Sequence, residues 1–297
     1  MITLFSVPKP FRGHIDLIQT NAIQSWLQLS PPCEIILFGD ELGIAETAAR
    51  FGLRHVPEIS RNEDGTPLLN SVFEKAQMLS PHSLLCYING DIILMGDFIK
   101  AVERLPLLST RKQFLLAGRR WDIDLEKRLD FGDPDWEKLL LEDVQKRGRQ
   151  RTPEWIDYFV FPRDLYNNLP PFAIGRTAFD NWLLWKARSL GAALVDASDV
   201  VMAIHQNHGY SHNPQGEKGI WEGPEAKRNR QLMGTWRHCY TMSHATHRLT
   251  SSGLKRNVTM ARFISLMKLL KITLIEWARI PLHWMGLCRS TEERFRS

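Results

Sequence analysis

The sequence has few cysteines, no basic leader and no internal repeat. Only four cysteines occur in 297 residues, and none forms a CxxC pair. A disulfide framework or a cysteine zinc ribbon is therefore not expected, and a reducing, cytoplasmic setting is the default. The N-terminal apolar stretch is short and lacks a preceding basic segment, so it predicts a first strand rather than a signal peptide.

The net positive charge is concentrated at the C-terminal end of the chain, and the rest of the chain is close to neutral. The formal net charge is +5. From Leu254 onward there are nine Lys/Arg against three Glu, so this segment holds +6 and the preceding chain −1. A nucleic-acid-binding body carries positive charge on its docking face. The near-neutral body therefore disfavours nucleic acid as a partner.

Short apolar runs that end in polar residues or glycine are the main feature of the first two thirds. Such runs are typical of strands covered on both faces. Segments with helical periodicity lie between them, and one follows Pro67, a residue favoured in a first helical turn. This alternation predicts an α/β fold with a mainly parallel central sheet between two helical layers. The runs are residues 2–7, 34–38, 84–88, 114–117 and 200–204.

The sharpest candidate for chemistry is Asn89-Gly90-Asp91, directly after the run at 84–88. Ligands of open α/β sheets bind beyond the carboxyl ends of strands. An aspartate between two apolar runs is costly to bury unless it is paired, and oxygen ligands of this kind suit Mg²⁺ or Mn²⁺. Asn-Gly is also a common hairpin turn, so a plain turn is the alternative.

Two further segments carry candidate residues. Asp180 opens a predicted helix, where it is a candidate catalytic acid or base; with Thr177 as N-cap it would instead occupy a capping position. His205, His208 and His212 follow the run at 200–204 and predict a ligand-binding loop. A zinc site is the alternative for the histidines, although no cysteine pair accompanies them. His205 is the first choice among the three.

In this order, the motifs resemble the GT-A glycosyltransferases of the nucleotide-diphospho-sugar transferase superfamily, in particular its family-2-like members. The resemblance covers about residues 1–212. It implies a GT-A-type three-layer α/β/α sandwich and an inverting, Mn²⁺- or Mg²⁺-dependent transfer. The sugar would move from a nucleotide-diphosphate donor to a hydroxyl of a glycan or lipid-linked acceptor. Asn89-Gly90-Asp91 matches the DxD-type motif of the family, with asparagine in the first place.

The same resemblance implies roles for individual residues. Asp91 would be the main metal ligand, assisted by Asn89 and His205, and Asp180 would be the catalytic base. Arginines near strand ends could bind the diphosphate, with surface ion pairs as the alternative. The residues expected around the nucleotide are Phe5, Ser6, Pro8, Asp40, Gly65, Asn70, Asn89, Arg119 and Arg176.

The basic C-terminal segment is expected to form an amphipathic helix. We therefore divide the chain into a catalytic domain at 1–250 and a helical tail at 251–297. Charges interrupt the apolar residues too often for a membrane span. The helix could lie on the inner face of a membrane or pack its apolar face on the body. The residues expected on one face are Phe263, Leu266, Leu270, Leu274 and Trp277, and those on the other are Lys268, Lys271 and Arg279.

Two other functions remain open from the sequence. A sugar-phosphate nucleotidyltransferase would share the general fold, but the first predicted strand is not followed by the expected Gly-rich phosphate loop. A non-catalytic module that binds nucleotide sugars or carbohydrate is the second alternative, because Asn89 replaces an acid of the DxD-type motif.

Overall fold

Strands and helices alternate along most of the chain in the computed structural model, which describes residues 1–105, 113–209 and 216–284. The strands are β1 (Thr3–Ser6), β2 (Glu34–Phe38), β3 (Arg54–Val56), β4 (Leu84–Ile88), β5 (Ile92–Ile93), β6 (Phe114–Ala117), β7 (Arg120–Ile123), β8 (Arg149–Gln150), β9 (Tyr158–Pro162), β10 (Ala193–Asp196), β11 (Ala203–Gln206), β12 (His247–Thr250) and β13 (Gly253–Arg256). The helices are α1 (Gly13–Leu27), α2 (Ile44–Phe51), α3 (Leu69–Leu79), α4 (Gly96–Glu103), α5 (Trp136–Arg147), α6 (Phe179–Ser189), α7 (Gly216–Glu222), α8 (Pro224–Met233) and α9 (Met260–Trp284).

The large sheet is mainly parallel, as the alternation of strands and helices predicts. Within the described residues its nine strands follow the order β13-β12-β10-β6-β9-β4-β1-β2-β3. Strand β9 runs antiparallel to β4 and β6, and β13 runs antiparallel to β12. The remaining neighbours are parallel. The predicted sheet type is confirmed.

Helices cover both faces of this sheet because successive strand residues point to opposite sides. In β1, Leu4 joins a core that includes Trp26 of α1, whereas Phe5 joins a second core with Phe73 of α3. Helices α2 and α4 contribute to the first core, and α6 contributes to the second. The three-layer α/β/α arrangement is therefore confirmed.

A smaller sheet stands beside the end of β4 and carries part of the site. Its described strands follow the order β5-β11-β7-β8. Strand β11 pairs with β5 on one side and β7 on the other, so His205 lies opposite Ile92 and Asp122. A separate apolar cluster that includes Ile93, Ile204 and Val144 of α5 supports this sheet.

Three of the predicted apolar runs coincide with strands, namely β2, β4 and β6. The run at 200–204 is wrong in its bounds. The amides of Val200 and Val201 donate to the carbonyl of Ala197 in a turn, so the ladder begins only at Ala203. As a result His205 lies within β11 and not beyond its end.

The C-terminal region combines two strands with a long helix. Strand β13 extends the large sheet past residue 250. Helix α9 packs against the short turns at Trp236–His238 and Met242–His244. In the part of the chain that the structure describes, no helix combines the length and the apolar character that crossing a bilayer requires.

Candidate active site

A cleft of about 850 Å³ opens where β1 and β4 end and α6 begins. This volume lies in the range of sites that enclose small molecules and cofactors. Charged side chains line the cleft, and Trp155 and Trp221 form its aromatic wall. The lining residues that matter for the chemistry are Lys9, Glu41, Asn89, Asp91, Arg120, Trp155, Asp157, Asp180 and Trp221.

The turn after β4 holds Asp91 in the cleft. The amide of Asn89 donates to the carbonyl of Asp157, which ties the turn to the residue before β9. Gly90 lies close to two neighbouring segments. A Cβ there would lie 3.1 Å from Gln19 Oε1 of α1, which would have to shift by a few tenths of an ångström, and 3.4 Å from Pro8 Cα, an ordinary contact. Gly90 therefore favours the close approach of this turn to α1 and to the loop after β1.

Asp91, His205 and His208 form a group that could hold a metal ion. One ligand atom from each residue lies within 4.8 Å of the others. The carboxylate of Asp91 is buried, and its Oδ1 has no hydrogen-bond partner in the part of the chain that the structure describes, which leaves one oxygen to accept a cation. Burial alone would raise the pKa of Asp91, but the nearby charge of Lys9 and the contact with His208 outweigh it and hold the pKa well below its usual range.

A hydrogen bond orients His208, and a carboxylate lies beside His205. His208 Nδ1 donates to the carbonyl of Gly209 at 2.9 Å, and its Nε2 lies 3.0 Å from Asp91 Oδ2. His205 Nδ1 lies 3.3 Å from Asp122 Oδ1, a carboxylate neighbour of the kind that steadies metal-ligating histidines. The structure thus brings His205 and His208 to Asp91, and His212 lies outside the described residues.

Arg120 joins two carboxylates at the floor of the cleft. Its Nε donates to Asp122 Oδ1 at 2.7 Å, and its Nη1 donates to Asp157 Oδ2 at 3.0 Å. Burial alone would lower the pKa of Arg120, but the two carboxylates raise it further above its usual value. The amide of Asn89 donates from Nδ2 to Asp157 Oδ1 at 2.6 Å, so Asn89 helps to fix this network.

Asp180 is the second residue of α6 and lines the cleft. Thr177 is not the N-cap, so the predicted capping arrangement is wrong; Ala178 holds that position at φ 90°, without a side-chain cap. Among the described residues, the buried Oδ1 atom of Asp180 has no hydrogen-bond partner. Burial, followed by the charge of Asp157, raises the pKa of Asp180 well above its usual value, although Arg120 acts in the opposite direction.

The structure divides the residues that were predicted around the nucleotide into two groups. Pro8, Gly65, Asn89 and Arg176 line the cleft. The others do not line it, as far as the described residues show: they are Phe5, Ser6, Asp40, Asn70 and Arg119.

Physical reasons keep three of these residues out of the cleft. Phe5 is fully buried and packs edge-on against Phe73 in the core beneath the sheet. Asp40 turns outward to pair with Arg61, and the next residue, Glu41, takes the position in the cleft. Arg120 lines the cleft and its neighbour Arg119 does not, because alternate residues along β7 point in opposite directions.

Lys9 and Glu41 are the cleft residues that sequence reasoning missed. Lys9 donates from Nζ to Asp91 Oδ2 at 3.0 Å. Glu41 accepts from Arg61 through Oε1, whereas its Oε2 is buried without a hydrogen-bond partner. The available signals were the position of Lys9 directly after the first predicted strand and of Glu41 after the second.

Trp155 and Trp221 form the aromatic wall of the cleft. Their rings meet edge to face with centroids 5.8 Å apart. The guanidinium groups of Arg120 and Arg151 lie 4.6 and 4.3 Å from the ring centroid of Trp155, so this ring is held by two cations. Trp221 remains partly exposed and presents apolar surface to the cleft.

Comparisons with known proteins find solved structures of low similarity. No protein-family model matches the chain, and no curated protein matches it in sequence. Among solved structures, glucosyl-3-phosphoglycerate synthase from Mycobacterium tuberculosis with Mg²⁺ and UDP is 18% identical at a TM-score of 0.41, over 70% of this chain and 72% of its own. The mannosyltransferase PcManGT from Pyrobaculum calidifontis with GDP-Man and Mn²⁺ is 14% identical at a TM-score of 0.45, over 69% and 56% of the two chains.

By name, the first is the synthase of a glucosyl compound and the second is a mannosyltransferase. At such identities and TM-scores, the functional argument rests on the geometry of the cleft itself.

Proposed function

We propose that this protein transfers a sugar from a nucleoside-diphosphate donor to an acceptor hydroxyl. The observation that carries the proposal is the proximity of two unlike features at one cleft. The first is the donor set of Asp91, His205 and His208, of which Asp91 lines the cleft. The second is the carboxylate of Asp180 at the start of α6, which also lines the cleft and whose buried Oδ1 has no hydrogen-bond partner among the described residues.

The donor set fits a divalent cation. One carboxylate oxygen without a hydrogen-bond partner and two imidazoles supply oxygen and nitrogen ligands, and we assign Mn²⁺ or Mg²⁺ to them. When bound, such a cation neutralises charge on the leaving diphosphate. Zn²⁺ accepts the same ligand types, so it belongs in any test of metal preference.

Asp180 is proposed as the general base. Its carboxylate takes the proton of the acceptor hydroxyl, while the acceptor oxygen forms a bond to the anomeric carbon. The bond from that carbon to the diphosphate oxygen breaks, and the nucleoside diphosphate leaves from the opposite face. This direct displacement inverts the anomeric configuration. Lys9 and Arg120, which line the same cleft, add positive charge where the diphosphate would lie.

The aromatic wall supports a sugar or another amphipathic molecule as acceptor. Trp221 lines the cleft with 38% of its surface exposed, so apolar ring surface is available to a ligand. Sugar rings present C–H faces that pack on such surfaces. A glycan or lipid-linked acceptor is therefore our proposal for the second substrate.

The test is release of nucleoside diphosphate from a panel of UDP- and GDP-sugars with Mn²⁺, Mg²⁺ or Zn²⁺. We expect slow hydrolysis of one donor in the absence of acceptor. This hydrolysis should be lost in Asp91→Ala and retained in Asp40→Asn, whose carboxylate lies outside the cleft.

Other outcomes would indicate the alternative functions. Release of inorganic pyrophosphate would indicate a nucleotidyltransferase, and binding without turnover would indicate a non-catalytic module. Once a product is available, retention at the anomeric carbon would contradict the inverting mechanism.

We further propose that α9 lies on an anionic membrane surface. The half-buried residues of the helix, such as Ser265 and Leu269, lie on the side that faces the body. The opposite side exposes large apolar side chains, with Phe263 59% and Trp277 65% exposed. A helix that buried its apolar side against the body would not leave these residues in water. The exposed apolar residues on α9 are Met260, Phe263, Ile264, Leu266, Met267, Leu270, Leu274, Ile275 and Trp277.

Basic residues beside this surface favour anionic lipid as the partner. Lys268 and Lys271 of α9 are exposed, as are Lys255 and Arg256 of β13. Each basic residue near an anionic surface contributes about 1 kcal/mol. Helices of this kind lie in the interface with their apolar side among the lipid chains.

Vesicle flotation tests this proposal. We expect the chain to float with phosphatidylglycerol-containing vesicles and to float less at high salt. A triple substitution of exposed apolar residues, Phe263→Gln/Leu270→Gln/Trp277→Gln, should abolish flotation, whereas Lys138→Gln on the exposed side of α5 should not. Equal flotation of the triple variant and the wild type would contradict the proposal.

A further inference from the structure

Lys9 places a positive charge inside the candidate metal site. Its Nζ lies 3.0 Å from Asp91 Oδ2 and 2.9 Å from His208 Nε2, and these two atoms lie 3.0 Å from each other. The ammonium of Lys9 thus lies against the two atoms through which Asp91 and His208 face each other, and it donates to Asp91 Oδ2.

The backbone of Lys9 is held in place by a buried side chain. Gln19 of α1 accepts from the Lys9 amide at 2.6 Å and donates to the Lys9 carbonyl at 2.8 Å. Gln19 is only 2% exposed, and the loop it clamps approaches Gly90 closely. A long, flexible lysine side chain is thereby anchored at its base, within reach of both the donor set and the open cleft.

Lys9 contacts His208 Nε2, which faces Asp91 in the donor set, and Oδ2 of the carboxylate whose other oxygen, Oδ1, is the candidate for a divalent cation. Lys9 and a divalent cation therefore compete for the same carboxylate and imidazole. We infer that Lys9 is an exchangeable counter-ion: it neutralises Asp91 until a metal is bound, and it then moves to the diphosphate of the donor. This inference rests on the proposed function for the identity of the anion. Lys9 then has two opposite effects: Lys9 competes with the metal, and Lys9 attracts the diphosphate.

These opposite effects give a signature that a purely structural lysine would not produce. Without the ammonium, Asp91 keeps its buried negative charge and attracts Mn²⁺ without competition. The diphosphate, in contrast, loses one of its positive partners. Couplings between neighbouring sites commonly amount to about 5–150-fold. We expect both effects of Lys9→Met, tighter metal binding and weaker diphosphate binding, to be at least about fivefold.

Two separate titrations test the inference on the full chain. The first measures Mn²⁺ binding by electron paramagnetic resonance in the absence of any nucleotide. The second measures binding of inorganic pyrophosphate by calorimetry at a saturating concentration of Mn²⁺, the state in which Lys9 is free to move to the diphosphate, and the heat of chelation in protein-free titrations is subtracted. Lys9→Met should bind Mn²⁺ more tightly and pyrophosphate more weakly than the wild type. Lys9→Arg keeps the charge and should stay near the wild type, as should the exposed control Lys138→Met.

Unchanged or weaker Mn²⁺ binding by Lys9→Met would overturn the inference, as would unchanged pyrophosphate binding. If Lys9→Met does not fold, the neutral but hydrogen-bonding Lys9→Gln carries the same two expectations. Failure of the proposed function would look different: the wild type itself would bind neither Mn²⁺ nor pyrophosphate, and no donor would be turned over.

Discussion

Replacement of Asp180 by asparagine should lower activity and raise stability at the same time. The substitution keeps the size of the side chain and removes its charge. In the folded protein, burial and the neighbouring Asp157 make the ionised form of Asp180 costly, and its Oδ1 has no hydrogen-bond partner. An ionised side chain in such an unfavourable environment is expected where it takes part in the reaction.

The two effects differ in size and in pH dependence. A positioned general base contributes about 10²–10⁴-fold to turnover, or roughly 2.7–5.5 kcal/mol. The stability effect follows from the raised pKa of Asp180: its contribution is fully present below the unfolded pKa of about 3.9 and is lost as pH rises through the folded pKa. Asp180→Asn has no carboxylate to ionise, so this loss of stability does not occur in the variant. The melting temperature of the variant should therefore exceed that of the wild type by more at higher pH.

Donor turnover and thermal unfolding are measured on the same preparations of the wild type and Asp180→Asn, at acidic and at mildly alkaline pH. We expect a fall in turnover of about 10²–10⁴-fold, nearly unchanged donor binding, and a higher melting temperature that is most evident at the higher pH. Full activity in the variant would refute the base assignment. A variant that is inactive and less stable at every pH would show that Asp180 supports the fold instead.

Two further predictions concern the same cleft. The value of kcat/KM should rise with pH through an apparent pKa above the ordinary aspartate value of about 3.9, because Asp180 must be ionised and its pKa is raised; a profile that is flat above pH 4 would contradict this. Arg120→Met should lower the free energy of unfolding in denaturant titration, near the lower end of about 3–5 kcal/mol, because it breaks a buried network with Asp122 and Asp157. The matched control Arg128→Met breaks an exposed pair and should cost less than about 1 kcal/mol; equal losses would argue against the buried network.

The sequence predicts the sheet well because its signals are local. Strands β2, β4 and β6 are apolar runs with polar ends, and their bounds coincide with the predicted runs. The position of Asp91 at the end of β4 follows from the same pattern. Its approach to His205 follows from the antiparallel pairing of β5 with β11, which places Ile92 opposite His205.

What the sequence could not predict depends on contacts between distant segments. Lys9 meets Asp91 across 82 residues, and neither side of that contact contains a local signal for the other. Asp40 and Glu41 are adjacent acids, and the turn after β2 together with Arg61 determines which one enters the cleft. The start of α6 differed from the prediction because Ala178, at a positive φ, precedes the helix in place of a threonine cap.

The central claim is that one cleft binds a nucleotide sugar through a divalent cation held by Asp91. The most direct measurement is a thermal-shift panel of nucleotide sugars with and without Mn²⁺, run on the wild type and on Asp91→Ala. A donor at 100 times its dissociation constant should stabilise the wild type by about 2.7 kcal/mol, only with the metal present, and should leave Asp91→Ala unshifted. The absence of any metal-dependent shift across the panel, or an equal shift in Asp91→Ala, would contradict the claim.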